Sequence, residues 1–179
     1  MRSLDYISRY DSPLGGITLA SDGSALVGLW FDGQRYFGST LSAEYTEASL
    51  PVFDAAVRWL DAYFGGADPG FTPPIHLRGT PFQEKVWRAL LTIPYGKTMT
   101  YGELSRRLSA EKGGCFASAR AVGGAVSRNA VSLIVPCHRV VGADGSLTGY
   151  AGGMEKKLWL LQMEKAAVTR KNDGRMGDI

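Results

Sequence analysis

Ser132-Leu133-Ile134-Val135-Pro136-Cys137-His138-Arg139-Val140 joins a dense apolar run to one of the two cysteines and one of the two histidines of the chain. The run predicts a buried, firm segment, so the Cys137 thiol is expected at the edge of a core and not on a loose loop. A thiolate is the strongest nucleophile available to a protein near neutral pH. By packing habit alone, a lone cysteine after an apolar run is an inert small hydrophobe. The adjoining His138, and Pro136 fixing the backbone before the thiol, favour the nucleophile. On an extended segment neighbouring side chains point to opposite sides, so His138 is expected to reach the sulfur through a bridging water.

Downstream, residues 154–164 read as a helix on which Leu160, Leu161 and Glu164 share one side. A carboxylate on that side needs a partner, and His138 is the only histidine of the C-terminal half. Cys137–water–His138–Glu164 then forms a relay of thiol, base and orienting acid. Such a relay is expected to bring the thiol below the ~8.5 of a free cysteine. Periodicity leaves a second arrangement open, a solvated helix end with Glu164 in water.

Upstream, Thr80-Pro81-Phe82-Gln83 is a capping box with proline at the first helical position. The helix it opens is expected to bury Phe82, Val86, Ala89, Leu90 and Ile93 and to stop at Pro94-Tyr95-Gly96. Thr100-Tyr101-Gly102-Glu103 is a second capping box, opening a helix to about Leu108, and residues 117–128 form a third. These two short helices, the second carrying Arg120 and Arg128, read as a helix-turn-helix. Gly123 and Gly124 each cost that helix about 1 kcal/mol relative to alanine. Either close approach of a DNA backbone or tight packing against a neighbouring helix offsets the cost. Ala119-Arg120-Ala121-Val122-Gly123-Gly124-Ala125 is small apart from one cation. That suits a helix pressed into a narrow groove with one wedge better than base-edge reading by long side chains. Cys115 reads as a loop residue with no base nearby, and His76 shows no partner; neither receives a role.

The N-terminal part reads as a hairpin of residues 17–20 and 25–31 around Ser21-Asp22-Gly23-Ser24. A helix over residues 51–64 follows, with Phe53, Ala56, Leu60 and Phe64 on one face. Gly65-Gly66-Ala67-Asp68-Pro69-Gly70 and Pro73-Pro74 mark a linker holding a candidate short strand, Ile75-His76-Leu77. The predicted architecture is an α/β N-terminal domain, a small antiparallel sheet with a helix, at residues 1–78. A mostly α-helical C-terminal domain containing the helix-turn-helix follows at 79–166, then a flexible tail at 167–179. Residues 1–79 carry 5 arginines, no lysine and 9 acids, net −4, whereas residues 80–179 carry 15 basic and 8 acidic residues, net +7. Only the second half is therefore expected to meet a polyanion. No apolar run reaches the ~20 residues of a membrane helix, and the start lacks a signal-peptide core. Two cysteines make no disulfide framework, which points to a reducing, cytoplasmic setting, and the scattered Cys and His residues lack metal-ligand spacing.

Pro136-Cys137-His138-Arg139-Val140, with Thr80-Pro81-Phe82-Gln83, Thr100-Tyr101-Gly102-Glu103-Leu104, Arg120-Ala121-Val122-Gly123, Asn129, Tyr150 and Gly152-Gly153, resembles the 6-O-alkylguanine-DNA alkyltransferases (methylated-DNA–protein-cysteine methyltransferases) continuously over residues 79–164. The resemblance implies that an alkylated guanine, or a 4-O-alkylthymine, is flipped out of duplex DNA. Its alkyl group passes irreversibly to Cys137, a stoichiometric reaction without cofactor or metal. His138 and Glu164 are implied as the relay, and Tyr101 as the contact to the flipped nucleotide and its phosphate. Arg120 is implied as the finger filling the vacated stack, with Ala119, Ala121, Gly123 and Ser127 also on the DNA. Val140, Tyr150, Ala151, Gly152 and Gly153 form the pocket, and Asn129 is the hinge bracing the two helix-turn-helix segments against the active-site loop. The implied partner is double-stranded DNA containing alkylated bases, met by a monomer, with cooperativity along DNA left open. Two departures stand out: the segment from Ser109 to Ser118 is longer than the family's turn, and Ala151 replaces a serine, removing a hydroxyl contact to the base.

Two rivals remain. A non-catalytic damage sensor on the same fold would lack the acceptor cysteine. A cysteine hydrolase using Cys137 and His76 would need an oxyanion hole and would leave a basic helix-turn-helix unexplained.

Overall fold

The structure, a computed structural model, describes residues 3–111 and 117–175. Strands β1 (Leu4–Ser12), β2 (Gly15–Ser21), β3 (Leu26–Phe31) and β4 (Glu44–Glu47) form a sheet in the order β3-β2-β1-β4. The β2–β3 hairpin turns where Asp22 and Gly23 predict it. The sheet is antiparallel through β3, β2 and β1, and β4 adds a parallel edge. Sequence patterning misses β1 and β4 for a physical reason. All four residues of β4 are exposed, and the inward face of β1 begins with Asp5, a charge in a buried position. Arg78 neutralises that charge through two hydrogen bonds of 2.7 and 3.0 Å, 73 residues away in sequence.

Helix α1 (Pro51–Phe64) has the expected bounds and buries Phe53, Ala56 and Leu60 with Val52, Trp59 and Tyr63. Helix α2 (Pro81–Leu90) carries the complete Thr80–Gln83 capping box. Its Phe82 is 37% exposed, against expectation, because burial on this helix begins only at Val86 and the first turn stands beyond the core. Trp87 fills the buried face instead, and its indole N–H donates to the Ala125 carbonyl at 2.9 Å. Helix α3 (Tyr101–Ala110) opens on the second capping box, directly after the short strand β5 (Met99–Thr100). Helix α4 (Ala119–Ser127) is capped by Ser118, which accepts from the Ala121 N–H. The Ser105 hydroxyl donates to the Ala117 carbonyl, tying α3 to the start of α4. Cys115, with residues 112–116 of the long segment between these helices, lies outside the described residues.

Residues 132–135 are buried as expected but are not extended. They form turns, with Leu133 in the left-handed region at φ 71°, a conformation costing about 1–3 kcal/mol that surrounding packing must hold. Cys137–Arg139 is a 3₁₀ turn leading into β6 (Val140–Val141), which pairs in parallel with β5. Helix α5 (Met154–Arg175) runs beyond Glu164, where the sequence reading ends it. Lys165-Ala166-Ala167 are good helix formers and no glycine or proline intervenes before Gly174.

One apolar cluster spans both halves, from Ile17, Leu29 and Phe31 through Leu60 and Tyr63 to Trp87, Val122, Val135 and Leu160. The outer edge of β3 is covered on both sides of the seam. Leu26 exchanges hydrogen bonds with Pro74 and His76, and Leu29 with Ala130 and Ser132. The segment leading to Cys137 is thus held as a partner of the N-terminal sheet, and no bare strand edge is left there. Replacing Trp87 with Phe keeps an apolar ring but removes this bond, leaving the Ala125 carbonyl with the Arg128 N–H at 3.2 Å. Chemical denaturation of that variant is expected to show a loss of about 0.5–1.5 kcal/mol with an unchanged denaturant slope.

Candidate functional site

Four elements converge beneath the 3₁₀ turn. His138 is fully buried and Glu164 is 1% exposed. His138 Nε2 lies 2.7 Å from Glu164 Oε1, and the Tyr63 hydroxyl donates to the same oxygen at 2.8 Å. Arg139 grips the carboxylate from the other side, with Nε 3.0 Å from Oε2 and Nη2 3.0 Å from Oε1. Its Nη1 donates to the Ile93 carbonyl at 2.8 Å. The Gly96 N–H adds a bond to Oε2 at 3.2 Å. Gly96 is required there: its φ is 77°, and a Cβ would stand 2.4 Å from the Val168 side chain. The solvated-helix-end arrangement for Glu164 is therefore excluded.

The protonation states follow from this geometry. Burial alone would raise the Glu164 carboxyl, but the His138 hydrogen bond and the Arg139 hydrogen bonds and charge hold it well below the usual carboxylate range. The Arg139 fork already matches that carboxylate charge, so His138 need not be cationic, and burial lowers its pKa in spite of Glu164. An ionised carboxylate only accepts, so neutral His138 donates through Nε2 and its lone pair sits on Nδ1. That Nδ1 is buried and has no hydrogen-bond partner among the described residues. Burial also pushes the Tyr63 phenol well above its ordinary range, fixing it as a donor.

Cys137 is 5% exposed. Contrary to the expected lowering, burial pushes its thiol up, and the opposing Asn129 amide and Lys157 charge do not overcome that cost. Successive side chains of a 3₁₀ turn point about a third of a revolution apart, so the thiol and the imidazole leave the backbone in different directions, as they would from an extended segment. Asn129 braces the approach to the turn: its Oδ1 accepts from Val131 N–H at 3.0 Å and its Nδ2 donates to the Val135 carbonyl at 2.8 Å.

Tyr101, at the first position of α3, donates to the Thr148 carbonyl at 2.9 Å. Its ring lies beside Gly123 of α4 and its hydroxyl beside Gly149, so it occupies the seam between that helix and the 148–153 loop. Val140 and Tyr150 are buried and Ala151 and Gly152 partly so, while Gly153 is exposed. A Cβ on Gly152 would meet the Tyr150 ring at 2.8 Å. On α4, Val122, Ala125 and Val126 face inward while Ala119, Arg120, Ala121 and Gly124 are exposed. Ser127 is half-buried and its hydroxyl donates to the Gly124 carbonyl. Among the described residues a Cβ on Gly124 would meet nothing within 4 Å, and one on Gly123 only ordinary contact with Tyr101. Internal packing therefore does not explain the two glycines.

Three residues of the site escape the sequence reading. Tyr63 looks like one more apolar position of α1. Arg139 adjoins His138 but reads as a surface cation. Lys157 is fully buried, donating to the Val140 carbonyl at 2.6 Å and the Thr148 carbonyl at 2.9 Å. Burial lowers its pKa to about 8. The same helical spacing that marks Glu164 would have found it, because residues 157, 160, 161 and 164 share one side.

The carboxylate cluster has a measurable acid signature. Glu164 is held below the usual 4.5, at about 2, so its ionised form adds to folding stability. A lowered carboxyl contributes above the unfolded value and loses its contribution as pH falls through the folded one. Glu164→Gln is expected to be less stable than the parent chain at pH 7, with the gap closing between pH 4.5 and 2, read by denaturation at a series of pH values.

Residues 6–77 match the 6-O-methylguanine DNA methyltransferase, ribonuclease-like domain, and residues 81–166 the 6-O-methylguanine DNA methyltransferase, DNA binding domain. A methylated-DNA–protein-cysteine methyltransferase of Mycobacterium leprae is 48% identical over 161 residues, covering 88% of this chain and 91% of the relative. Mycobacterium tuberculosis OGT in complex with DNA superposes with a TM-score of 0.78 at 44% identity, over 92% of this chain and 94% of that one. An O6-methylguanine DNA methyltransferase from Methanococcus jannaschii gives a TM-score of 0.60 at 28% identity, over 89% and 92%.

Proposed function

The chain belongs to the methylated-DNA–protein-cysteine methyltransferase family, and within it we propose that Cys137 is the residue that takes the alkyl group. The protein is a DNA repair enzyme that binds DNA and moves the alkyl group of a damaged base irreversibly onto its own cysteine, once per molecule. The observation that carries the residue assignment is the buried imidazole of His138. Its Nε2 is committed to Glu164, and its Nδ1 lone pair is left to act as a base.

The resting thiol is neutral, so its proton must leave as the reaction proceeds. It passes through one water to His138 Nδ1, and the imidazolium formed is stabilised by Glu164 2.7 Å away. The thiolate attacks the alkyl carbon in line. A sulfur–carbon bond forms, the carbon–oxygen bond breaks, and its electron pair returns to guanine, which takes up a proton. The product is a thioether, and no group in the site is suited to cleave it. The reacting oxygen is shielded in the duplex, so the base must be taken out of the stack. Val140, Tyr150, Ala151, Gly152 and Gly153 line the pocket that receives it, and Tyr101 meets the nucleotide and its phosphate. Burial raises the Tyr101 pKa, keeping it a donor. Asn129 is the hinge holding the cysteine turn to the end of α4. Residues 79–166 form the DNA-binding and transfer domain, with α3 and α4 as its helix-turn-helix. The smooth face of α4, with Ala119, Ala121, Gly123 and Ser127, enters the minor groove, and Arg120 fills the vacated stack. A damage sensor without transfer would have no use for a cysteine beside this base.

Exposure to methylated duplex DNA is expected to add one methylene, mapped to Cys137, and His138→Ala to slow that transfer about 10²–10⁴-fold while duplex affinity changes little. Intact-protein and peptide mass spectrometry reads both; label on Cys115, or more than one transfer per molecule, contradicts the assignment. Arg120→Ala is expected to slow repair of duplex DNA, where an emptied stack must be held open at a few kcal/mol. It should spare reaction with a free alkylated base, which needs no extrusion. Equal slowing on both substrates would make Arg120 a support of the pocket and not a wedge.

A further inference from the structure

A cation stack at the junction of the two halves has no part in the transfer chemistry. The Tyr36 ring lies between two guanidinium groups, Arg35 at 4.9 Å and Arg128 at 4.4 Å from its centroid. Arg35 comes from the loop after β3 and Arg128 from the C-terminal cap of α4, so the stack joins residues 93 positions apart. Both arginines are exposed. Among the described residues no carboxylate pairs with either, whereas Arg9 and Arg78 of the same acidic half are each bound to one. Tyr36 is also held at φ 60°, a left-handed conformation that bulky side chains avoid. Two like charges converge on one strained aromatic residue with no anion from the protein between them. Beside the stack is a cleft of about 170 Å³, lined among others by Ser39, Gln83 and Arg128.

The position relative to α4 identifies the ligand chemistry. Arg128 lies eight residues after Arg120, about 12 Å along the helix at 1.5 Å per residue. A helix laid in a minor groove about 6 Å wide with Arg120 at the base stack would set Arg128 at the flanking sugar–phosphate backbone. Guanidinium forks suit phosphate oxygens bidentately, and stacking on an aromatic ring pre-orients them. We propose that Arg35 and Arg128, splayed across Tyr36, grip the DNA backbone beside the flipped nucleotide. The N-terminal half then contributes a phosphate contact of its own, in spite of its net negative charge. This rests on α4 as the groove-entering helix.

The same loop reaches the substrate pocket. The Arg35 N–H donates to the Ala151 carbonyl at 3.1 Å, so a phosphate drawn onto Arg35 acts next to the pocket loop.

The test is duplex-DNA affinity as a function of salt for the full chain, its Arg35→Gln/Arg128→Gln variant and its Arg35→Lys/Arg128→Lys variant. Removing one charge that neutralises a phosphate lowers the slope of log K against log salt by about 0.9. The glutamine pair is expected to lose about 0.9 to 1.8 in slope and to bind more weakly at low salt, while the lysine pair keeps most of the slope. An unchanged slope and affinity in the glutamine pair would overturn the proposal. So would equal weakening of both variants in step with their thermal stability, which would make the stack a structural clamp only. A parent chain whose duplex binding ignores salt would instead remove the groove-binding reading on which the proposal rests.

Discussion

One buried carboxylate organises this protein. Glu164 accepts from His138, Tyr63, Arg139 and the Gly96 backbone, and these groups come from the cysteine turn, helix α1 and the loop after α2. An ionised group in a core is tolerated only when its charge is matched and its lone pairs are filled, so all of these elements must be in place together. The constraint ties the N-terminal half to the candidate site although it holds neither Cys137 nor His138. Tyr63 of α1 supplies one of the four partners. The β3 edge holds the segment that leads to Cys137.

The same constraint sets the chemistry at the thiol. With Arg139 opposite Glu164, the site has no surplus negative charge to draw a proton onto His138, so the imidazole rests neutral. With the thiol buried, the proton also stays on sulfur. In the role proposed for Cys137, two neutral groups at rest make a quiet nucleophile, protected from adventitious electrophiles and oxidants that prefer exposed thiolates. For a protein that reacts once, that protection has evident value. Lys157 adds a tempered positive charge near the sulfur and ties Val140 to Thr148, joining the strand after the cysteine turn to the pocket loop.

The outer face of α4 follows a different logic. Alpha-helical glycines are normally a cost, and here nothing among the described residues needs them: Gly124 meets none of them within 4 Å. Smoothness on the outer face of α4 makes sense when another surface comes close. The long cations are placed at intervals on this smooth face and at its end, Arg120 projecting from the helix and Arg128 laid on Tyr36.

Local rules were enough to read the helices from the chain itself. Pro51 with its apolar spacing, and the Thr80–Gln83 and Thr100–Glu103 capping boxes, act within one or two turns, and each helix begins where they place it. The buried contact of His138 with Glu164 beside Cys137 was legible because a cysteine, a histidine and an inward-facing acid are unusual residue types in apolar surroundings. Strands β1 and β4, the turns at 132–135 and the state of the thiol were not legible. Asp5 belongs in the core only because Arg78 meets it there, and Leu133 keeps a strained backbone only because its surroundings hold it. The thiol pKa was expected low from its neighbours and is high because of its burial. Sequence determines which groups are available and which local segments they ride on. Desolvation and charge matching depend on everything within a few ångströms in space, and only the tertiary structure decides those.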